Sequence, residues 1–591
     1  MAETNRYYEE ELNYLIEAGR EYASAHPERA RFLNLADPRH RDPHVERLVE
    51  AFAFLTGNVR QKLDDDFPEL THSFLDLVWP YHLRPIPSMA LLELKPRPGM
   101  LRESKVVERG FLVDSRRTSQ EVACRFRTAY PVEMHPFRLA EAGLVADDAG
   151  RLRLRLRFEL EEGAEAARLQ VGRLRIHLAG EPSVAFALYQ LLRRQVDSVL
   201  LCYGKEGKRL LGDDAFRPVG FAPEEEVLPY PGTSFPGYRL LAEYFSFPEK
   251  FLFLDLVGIG AIPLGAKERQ FEVEVRFRGK LPESLHPTAE NFRLYVTPIV
   301  NIFPKDGEPI TVDQLKVRHR VLGDYTHPDA YEVFSVDAVE SLRSADGARF
   351  QRFPFFSFAH DEAALGEERG VYYHVTHRRA GGGGWLTYLS LVSSLRGRLP
   401  GEEVLSLSLT CSNGRLAQEV GIEEIKLPGG ERKDFMTFHN ITRPTDPLYP
   451  RLGTGGTDGT GGTGTQWRFV SQMALNLLSL SDPAALRALL SLYDAGERPA
   501  NQRRIESILA ARLTPREILD RGAPIRGTNL TLTVDDSRFD QPGDLLIFGE
   551  VLAEFLALYS NVNSFTELTL KPTNAKEELR WPASRGKQAL I

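Results

Sequence analysis

Residues 151–160 read RLRLRLRFEL and alternate strictly between apolar side chains and charged ones, most of them arginines. Successive side chains of a β-strand point to opposite faces of its sheet, so this segment buries one face and exposes the other. Apolar and polar side chains also alternate at residues 174–178, 271–277 and 405–410. Half-buried strands of this kind are typical of antiparallel sheets that pack face to face, so we predict a β-rich, sandwich-like body.

Local sequence chemistry adds a hairpin and a helix to this body. Residues 371–375 and 385–389 are strand-like and flank a run of four glycines at 381–384. Glycine tolerates the positive φ of a tight turn, so we predict a hairpin here. Leucines and a phenylalanine at helical spacing predict one helix over residues 184–196.

The first ninety residues have a helical rather than an alternating period. They predict three amphipathic helices, and the third, over residues 70–81, ends before Pro85 because proline cannot continue the helical hydrogen bonds. The apolar stripes include Tyr8, Leu12 and Leu15 in the first helix and Phe52 and Leu55 in the second. These stripes hold more apolar surface than a small bundle needs and no grouping of catalytic residues. We therefore predict a docking bundle, in which Leu12→Asp or Phe52→Asp blocks assembly and leaves the β-rich body folded.

The C-terminal part begins after a Gly/Thr-rich run at residues 453–465, which predicts a flexible linker. Beyond this linker the pattern predicts helices over 467–480, 483–493 and 502–513, a strand over 530–534, a helix over 544–559 and a strand over 567–570. Such a series predicts a compact α+β module, in which helices cover one sheet.

Together these patterns predict a multidomain α+β protein. The expected domains are an N-terminal helical docking bundle (1–87), a first β-rich domain with an inserted helix (88–300), a second β-rich domain (301–450), a flexible linker (451–466) and a C-terminal α+β module (467–591). A chain of 591 residues is long enough for several domains of typical size.

Composition excludes several classes of protein. A net charge of −8 over 591 residues is mild and argues against a dedicated nucleic-acid binder. The three cysteines, Cys124, Cys202 and Cys411, are odd in number and far apart, which is typical of a protein of the reducing cytosol. We find no signal peptide and no apolar run long enough to span a bilayer, so we expect a cytoplasmic protein.

Motifs that resemble metal or nucleotide sites have simpler explanations. His40, Asp42, His44 and Glu46 are close in sequence, but Pro43 interrupts them and helix capping explains the last two. Residues 64–66 are three aspartates without the glycine and distal glutamate of a calcium loop. A Gly-x-Gly-x-x-Gly pattern at 459–464 lies in low-complexity sequence with no preceding strand. We therefore expect no metal, no cofactor, no catalytic residue and no small-molecule substrate.

Aromatic side chains are dense in two regions, residues 230–253 and 351–358. Aromatic residues are enriched in binding hot spots and equally in domain cores. The candidate interface residues are Tyr8, Leu12, Leu15, Phe52, Leu55, Tyr238, Tyr244, Phe245, Phe548 and Tyr559.

Short motifs along the whole chain also carry a family resemblance. They are YYEEEL at 7–12, DPHVERL at 42–48, KLDDDFPE at 62–69, GYRLLAEYF at 237–245, FPEKF at 247–251, TPIVNIFP at 297–304, YEVFSVD at 331–337, FGEVL at 548–552 and LYSNVNSFTE at 558–567. In these motifs the chain resembles TssF (also called VasA or ImpG), a baseplate subunit of the bacterial type VI secretion system.

This resemblance implies a structural protein and not an enzyme. It implies a subunit of a cytoplasmic, phage tail-like baseplate at the inner membrane, on which the tail tube and sheath of a contractile injection machine assemble. Two copies would pair with one TssG, in wedges that include TssK and TssE. The wedges would associate with one another around the hub spike protein VgrG, contact the sheath and reach the membrane complex only indirectly.

Two other classes of function stay open at this point. One is a β-sandwich module that binds carbohydrate or peptide, which an exposed aromatic platform on one sheet face would indicate. The other is a hydrolase with a dispersed site, which a deep pocket with a strongly perturbed titratable group would indicate.

Overall fold

The computed structural model describes most of the chain. The described residues are 2–25, 43–64, 83–146, 150–164, 169–204, 207–212, 214–230, 236–264, 268–279, 281–282, 285–312, 316–343, 347–355, 371–380, 383–393, 402–450, 481–520, 523–560 and 562–587. They divide into two compact units. Unit 1 comprises residues 1–83 and 451–474, and unit 2 comprises residues 84–450 and 475–591.

The described part of unit 1 consists mainly of a pair of helices, α1 (Ala2–Ala25) and α2 (Pro43–Asp64). Pro43 suits the first turn of α2 because that position has no helical acceptor for an N–H, and Glu46 in the same turn is stabilised by the helix dipole. The first two predicted helices are confirmed. The predicted helix over 70–81 and the predicted linker at 451–466 lie outside the described residues.

The described residues at the start of unit 2 form fifteen strands and two α-helices. The strands are β1 (Met89–Pro96), β2 (Lys105–Val107), β3 (Leu112–Arg117), β4 (Ala123–Thr128), β5 (Val132–Met134), β6 (Phe137–Ala146), β7 (Leu152–Leu160), β8 (Gln170–Leu178), β9 (Val196–Tyr203), β10 (Gly207–Leu210), β11 (Phe216–Pro218), β12 (Phe253–Ala261), β13 (Gln270–Phe277), β14 (Phe292–Leu294) and β15 (Val296–Val300). The helices are α3 (Pro182–Arg194), which confirms the helix predicted over 184–196, and α4 (Pro236–Ser246), which the sequence patterns did not predict.

Ten further strands follow among the described residues in the middle of unit 2. They are β16 (Phe303–Asp306), β17 (Ile310–Val312), β18 (His319–Arg320), β19 (Glu332–Arg343), β20 (Arg349–Arg352), β21 (Val371–Arg379), β22 (Trp385–Ser393), β23 (Glu403–Ser412), β24 (Ile425–Pro428) and β25 (Met436–Asn440). Strands β21 and β22 pair antiparallel from Val371↔Ser393 to Arg379↔Trp385, which confirms the predicted glycine hairpin.

Most strands of unit 2 form antiparallel sheets. The sheets have the orders β24-β3-β4-β15-β1-β25, β10-β9-β13-β7-β6, β11-β12-β8-β14, β16-β23-β19-β20 with β17 on β23, β18-β22-β21, and β2-β5. The first of these sheets joins strands from both sides of residue 300, where we expected a domain boundary, so the two β-rich parts share one sheet.

Strand β7 shows why the alternating pattern predicts its face. Leu154, Leu156 and Phe158 are fully buried, while the arginines between them lie on the other face. In the middle of unit 2, residues from the β16–β23 sheet and from the β18–β22–β21 sheet share one buried cluster that includes Val333, Leu407 and Leu389. Two sheets packed in this way are a sandwich, as predicted.

The C-terminal part combines helices with a four-stranded sheet. The helices are α5 (Pro483–Tyr493), α6 (Pro499–Glu506) and α7 (Pro542–Tyr559), and the strands are β26 (Ile508–Asp520), β27 (Ala523–Val534), β28 (Phe565–Pro572) and β29 (Leu579–Arg585). The sheet order is β26-β27-β28-β29, and α7 packs on β28 and β29. Strands β27 and β28, which α7 connects, are parallel.

One predicted helix in this part is wrong. Residues 502–513 do not form a single helix, because α6 ends at Glu506 and β26 begins at Ile508. Ala510 to Leu513 pair with Thr533 to Leu530 of β27, and this long-range pairing overrides the local helical spacing. The predicted helix over 467–480 lies outside the described residues. The overall class, a multidomain α+β fold, is confirmed.

Among the described residues, no helix is both long enough and apolar enough to cross a membrane.

Candidate assembly interface

Helices α1 and α2 of unit 1 pack through small side chains. Ala53 and Gly57 are buried, and a Cβ atom at Gly57 would lie 3.1 Å from backbone atoms of both Tyr7 and Tyr8. Such close approach of two helix backbones requires glycine at this position. Ala23 and Glu11 of α1 are also buried. The backbones of the two helices therefore come closest at Gly57.

The opposite face of α2 carries an exposed apolar stripe. Leu48, Phe52, Leu55 and Val59 follow one another at spacings of four, three and four residues and are 58–71% exposed. At 3.6 residues per turn, these four side chains lie within roughly 60° of one another, about opposite to Gly57. This spacing is that of the apolar seam of a coiled coil. We call these four residues the α2 stripe.

The predicted interface residues of unit 1 divide between these two environments. Phe52 and Leu55 belong to the exposed α2 stripe, while Tyr8, Leu12 and Leu15 of α1 are half-buried. The amphipathic pattern of the sequence predicted both the exposed residues of α2 and the half-buried residues of α1. It did not distinguish the helix face that packs within the pair from the face that stays exposed.

Four predicted interface residues lie in the interior of unit 2 instead. Tyr238, Tyr244, Phe245 and Phe548 are at most 5% exposed. The ring of Tyr244 lies 5.3 Å from that of Phe245 and 6.1 Å from that of Phe548, and Tyr238 stacks on Tyr493 at 5.6 Å. These rings join α4 to α5 and α7 as a core, so burial removes them from the candidate interface. Tyr559 is the last residue of α7, and its side chain is outside the described part.

A buried ion pair, with a network of hydrogen bonds around it, lies beside this aromatic core. Lys250 and Glu243 are both fully buried and form an ion pair. The Glu243 carboxylate also accepts hydrogen bonds from the backbone N–H groups of Val227 and Leu228, each at 2.9 Å, and the Lys250 ammonium donates to the carbonyl oxygen of Glu225 at 3.2 Å. Desolvation lowers the pKa of Lys250, and the charge of Glu243 opposes that shift. The network holds the segment before α4 against the core.

A second buried carboxyl group, that of Glu332, contacts the segment just before residue 450. Glu332, at the start of β19, accepts a hydrogen bond from the Tyr449 hydroxyl at 2.9 Å and one from the backbone N–H of Trp385 at 3.1 Å. A Cβ atom at Gly414 would lie 2.5 Å from this carboxyl group, so the glycine makes room for it. Next to Tyr449, Leu448 exchanges two backbone hydrogen bonds with Ile86, at 2.8 and 2.9 Å. Residues 448 and 449 are thus bonded to Ile86 on one side and to Glu332 of β19 on the other.

This carboxyl group predicts a pH dependence. Burial raises the pKa of Glu332 from 4.5 to about 7, while the hydrogen bonds from Tyr449 and Trp385 oppose that shift. A carboxyl group whose pKa rises on folding stabilises the fold while it is protonated. Its contribution, about 3 kcal/mol, is complete below pH 4.5 and is lost as pH rises through 7. We compare the exchange rates of the Trp385 and Leu448 amides with those of amides that exchange only through global unfolding. The ratio of the two rates should be larger at pH 8 than at pH 6.

The matched variant for this experiment is Glu332→Gln, which keeps hydrogen-bond acceptors and cannot ionise. It should remove most of the difference between the two pH values. Equal pH dependence in the two proteins would show that another group controls these amides.

Arginines of the alternating β7 pattern are paired with carboxylates. On the exposed face of β7, Arg153 contacts Glu274 and Arg157 contacts Glu272, each at 2.8 Å. The arginine row is therefore neutralised by the neighbouring strand and does not form a basic patch. Within the described ranges, no cluster of three or more His, Cys, Asp or Glu side chains could hold a metal ion. His40 and Asp42 lie outside those ranges.

Two of the features described above were missed by sequence reasoning. The Glu243–Lys250 pair joins residues seven apart in an aromatic, proline-rich region, and the signal available was a charged residue on each side of a run of aromatic residues. The contact between Glu332 and Tyr449 joins residues 117 positions apart, and no local pattern encodes such a pairing.

Known proteins match this chain along nearly its whole length. The family model described as "Type VI secretion system, TssF" matches residues 1–588. A curated relative from Pseudomonas aeruginosa, the type VI secretion system component TssF1, is 31% identical over 622 aligned residues, with 98% of each chain covered.

Two solved structures are also similar to this chain. A chain from the cryo-electron microscopy structure of a type VI secretion system TssK-TssF-TssG baseplate subcomplex matches with a TM-score of 0.78 and 30% identity, over 91% of this chain and 98% of that one. A chain from a structure of the type VI secretion system baseplate complex matches with a TM-score of 0.64 and 29% identity, over 99% and 100%. This protein belongs to the TssF family of type VI secretion system proteins.

Proposed function

We propose that this chain is a structural, non-enzymatic subunit of a type VI secretion baseplate and that the α2 stripe is one of its joints with partner chains. The observation that carries the proposal is an exposed apolar stripe with coiled-coil spacing on a chain that is similar, nearly from end to end, to a chain of a TssK-TssF-TssG subcomplex. TssG and TssK are accordingly the first partners of this chain.

Physical chemistry supports a helical joint at the α2 stripe. Covering one fully exposed large apolar side chain contributes about 1.5–3 kcal/mol. The four residues of the stripe are 58–71% exposed, so covering them contributes roughly 4–8 kcal/mol before the entropic costs of association. Monomeric proteins rarely expose a contiguous apolar patch without a use for it. A partner helix with its own apolar seam fits this spacing.

For the stoichiometry and the other partners, we propose the arrangement that the resemblance to the TssF family implies. Two copies of this chain would join one TssG, and the wedge would also contain TssK and TssE. Wedges would associate with one another around the hub spike protein VgrG and contact the sheath, in a cytoplasmic baseplate that reaches the inner membrane only through the membrane complex. Because two copies around one partner cannot make identical contacts, one surface of this chain would be used in two ways.

The two other classes of function are not favoured. A carbohydrate- or peptide-binding sandwich and a hydrolase were both compatible with the β-rich pattern alone. The family match, however, covers residues 1–588, and the family is one of baseplate components.

Light scattering of the co-expressed complex tests the proposed function. The full chain is produced together with its neighbouring TssG and TssK and separated by size-exclusion chromatography. We expect a complex whose mass corresponds to two copies of this chain for each TssG. A chain that elutes as a monomer in the presence of both partners would contradict the proposal.

A further inference from the structure

Residues 441–450 follow β25 and continue along the same edge of β1, and we call them the strap. Three of their backbone N–H groups donate to carbonyl oxygens in or just before β1: Ile441 to Leu91 at 2.8 Å, Thr445 to Met89 at 2.8 Å and Leu448 to Ile86 at 2.9 Å. In the other direction, the N–H groups of Met89 and Leu91 donate to the hydroxyl groups of Thr445 and Thr442, at 3.0 and 2.9 Å. The strap therefore extends the pairing that β25 makes with β1.

The backbone contacts of the strap are farther apart than those of a regular strand. Its N–H groups bond at positions 441, 445 and 448, whereas the residues of an antiparallel strand exchange hydrogen bonds with the partner strand at every second position. Proline explains the interruption, because Pro444, Pro447 and Pro450 have no N–H to donate. A segment with so few backbone bonds should open at a lower free energy than the sheet beside it.

Tyr449 fastens the end of the strap to other strands of unit 2. Its hydroxyl donates to the buried Glu332 carboxyl group and lies 2.9 and 3.0 Å from the two oxygens. The centre of its ring lies 5.7 Å from the Arg415 guanidinium, 6.0 Å from that of Arg379 and 6.3 Å from the centre of the Trp385 ring. Cations at such distances are attracted to the face of an aromatic ring. One side chain thus ties the strap to β19, β21 and β22.

The strap lies at a connection between the two units. Unit 2 begins at Arg84, and its first stretch ends at Pro450, so the chain passes between the units just before Arg84 and just after the strap. The Arg84 guanidinium lies 5.7 Å from the centre of the Phe334 ring, two residues beyond Glu332 on β19. The start of β19 therefore contacts unit 2 residues at both of these connections.

We propose that the strap opens and closes as one unit and that the contact of Tyr449 with Glu332 is its latch, the contact that must break before the strap leaves β1. Opening frees up to roughly 33 Å of extended chain, at about 3.3 Å for each residue of 441–450. Strand β1 stays in its sheet, because it keeps its pairing with β15 and with β25. The strap is thus a conformational device that sets how long a stretch of chain joins unit 2 to unit 1.

Hydrogen–deuterium exchange of the isolated full-length chain, resolved to single amides, tests the proposal. The Ile441, Thr445 and Leu448 amides should share one opening constant, which should be at least about tenfold larger than that of the Leu154 and Leu156 amides in β7. Tyr449→Phe removes the hydroxyl and keeps the ring. Because it deletes a hydrogen bond to a carboxyl group, it should raise the opening constant of all three strap amides about tenfold.

Two variants serve as controls. Tyr325→Phe removes the hydroxyl of a tyrosine that is 77% exposed, and it should leave the strap amides within about twofold. Val273→Ala lowers the stability of the whole sheet from a fully buried position in β13. It should speed the β7 amides about tenfold or more and leave the strap amides within about twofold, because opening the strap does not disturb β13.

Each of three other results would overturn the proposal. If Val273→Ala speeds the strap amides as much as the β7 amides, the strap opens only when unit 2 unfolds. If Tyr449→Phe speeds Leu448 but not Ile441 and Thr445, only the end of the strap frays. If it speeds none of them, Tyr449 is not the latch. These measurements need no partner chain, so their outcome is independent of the proposed function.

Discussion

Glu243→Ala is expected to lower the free energy of unfolding of unit 2 by about 3–5 kcal/mol. The substitution leaves the Lys250 ammonium fully buried without its carboxylate, and it also removes the acceptor of the Val227 and Leu228 N–H groups. Removing one partner of a buried ion pair costs this much because the remaining charge stays desolvated. Urea unfolding, followed by the fluorescence of the buried tyrosine and tryptophan side chains, measures the change.

Lys250→Met provides an informative comparison because it removes the other partner. The cost should be smaller than that of Glu243→Ala, since Glu243 keeps its two backbone hydrogen bonds and methionine fills the space of the lysine stem. Asp214→Ala is the control, because it breaks an exposed pair and should cost less than about 1 kcal/mol. A change of less than about 1 kcal/mol for Glu243→Ala would show that the pair does not hold the fold together.

Phe52→Asp is expected to abolish co-purification of this chain with TssG and TssK. Phe52 lies in the middle of the α2 stripe and is 58% exposed in the chain by itself. In the complex, the new carboxylate would be buried among apolar side chains, and an unpaired buried charge costs several kcal/mol. The isolated chain should keep its stability within about 0.5 kcal/mol, as expected for an exposed position. Co-purification and thermal unfolding measure the two effects.

Phe54→Asp is the matched control for this prediction. Phe54 belongs to the same helix and is 51% exposed, but at 100° per residue it lies roughly 160° away from Phe52 around the helix axis. The same substitution there should leave co-purification within about threefold of the unmodified chain. If both variants abolish the complex, α2 is needed as a whole and the stripe has no special role. If neither does, the joint lies elsewhere.

The sequence predicted the elements whose pattern is local. The alternation of residues 151–160 predicts the buried and exposed faces of a strand. The spacing of apolar residues predicts the helices α1, α2 and α3. The two-fold and 3.6-fold periods of side-chain direction are properties of the local backbone, so they can be read without knowledge of any neighbour.

Features that depend on distant partners were not accessible in the same way. Helical spacing over 502–513 was overridden because β27 supplies backbone partners for β26. The sequence did not show whether the aromatic residues of α4 belong to an interface or to the core, because binding hot spots and cores use the same side chains. The packing of α7 against α4 shows that they belong to the core. The apolar residues of α2 were visible in the sequence. Which face of this helix stays exposed, however, depends on the packing of Gly57 against the backbone of α1.

Hydrogen–deuterium exchange of α2, in the isolated chain and in the complex with TssG and TssK, tests the central claim most directly. The account predicts that peptides spanning Leu48, Phe52, Leu55 and Val59 exchange at least about tenfold more slowly in the complex, because covering the stripe suppresses local opening of the helix. A complex that forms while these peptides exchange at the rate of the isolated chain would contradict the claim that α2 joins this subunit to its partners.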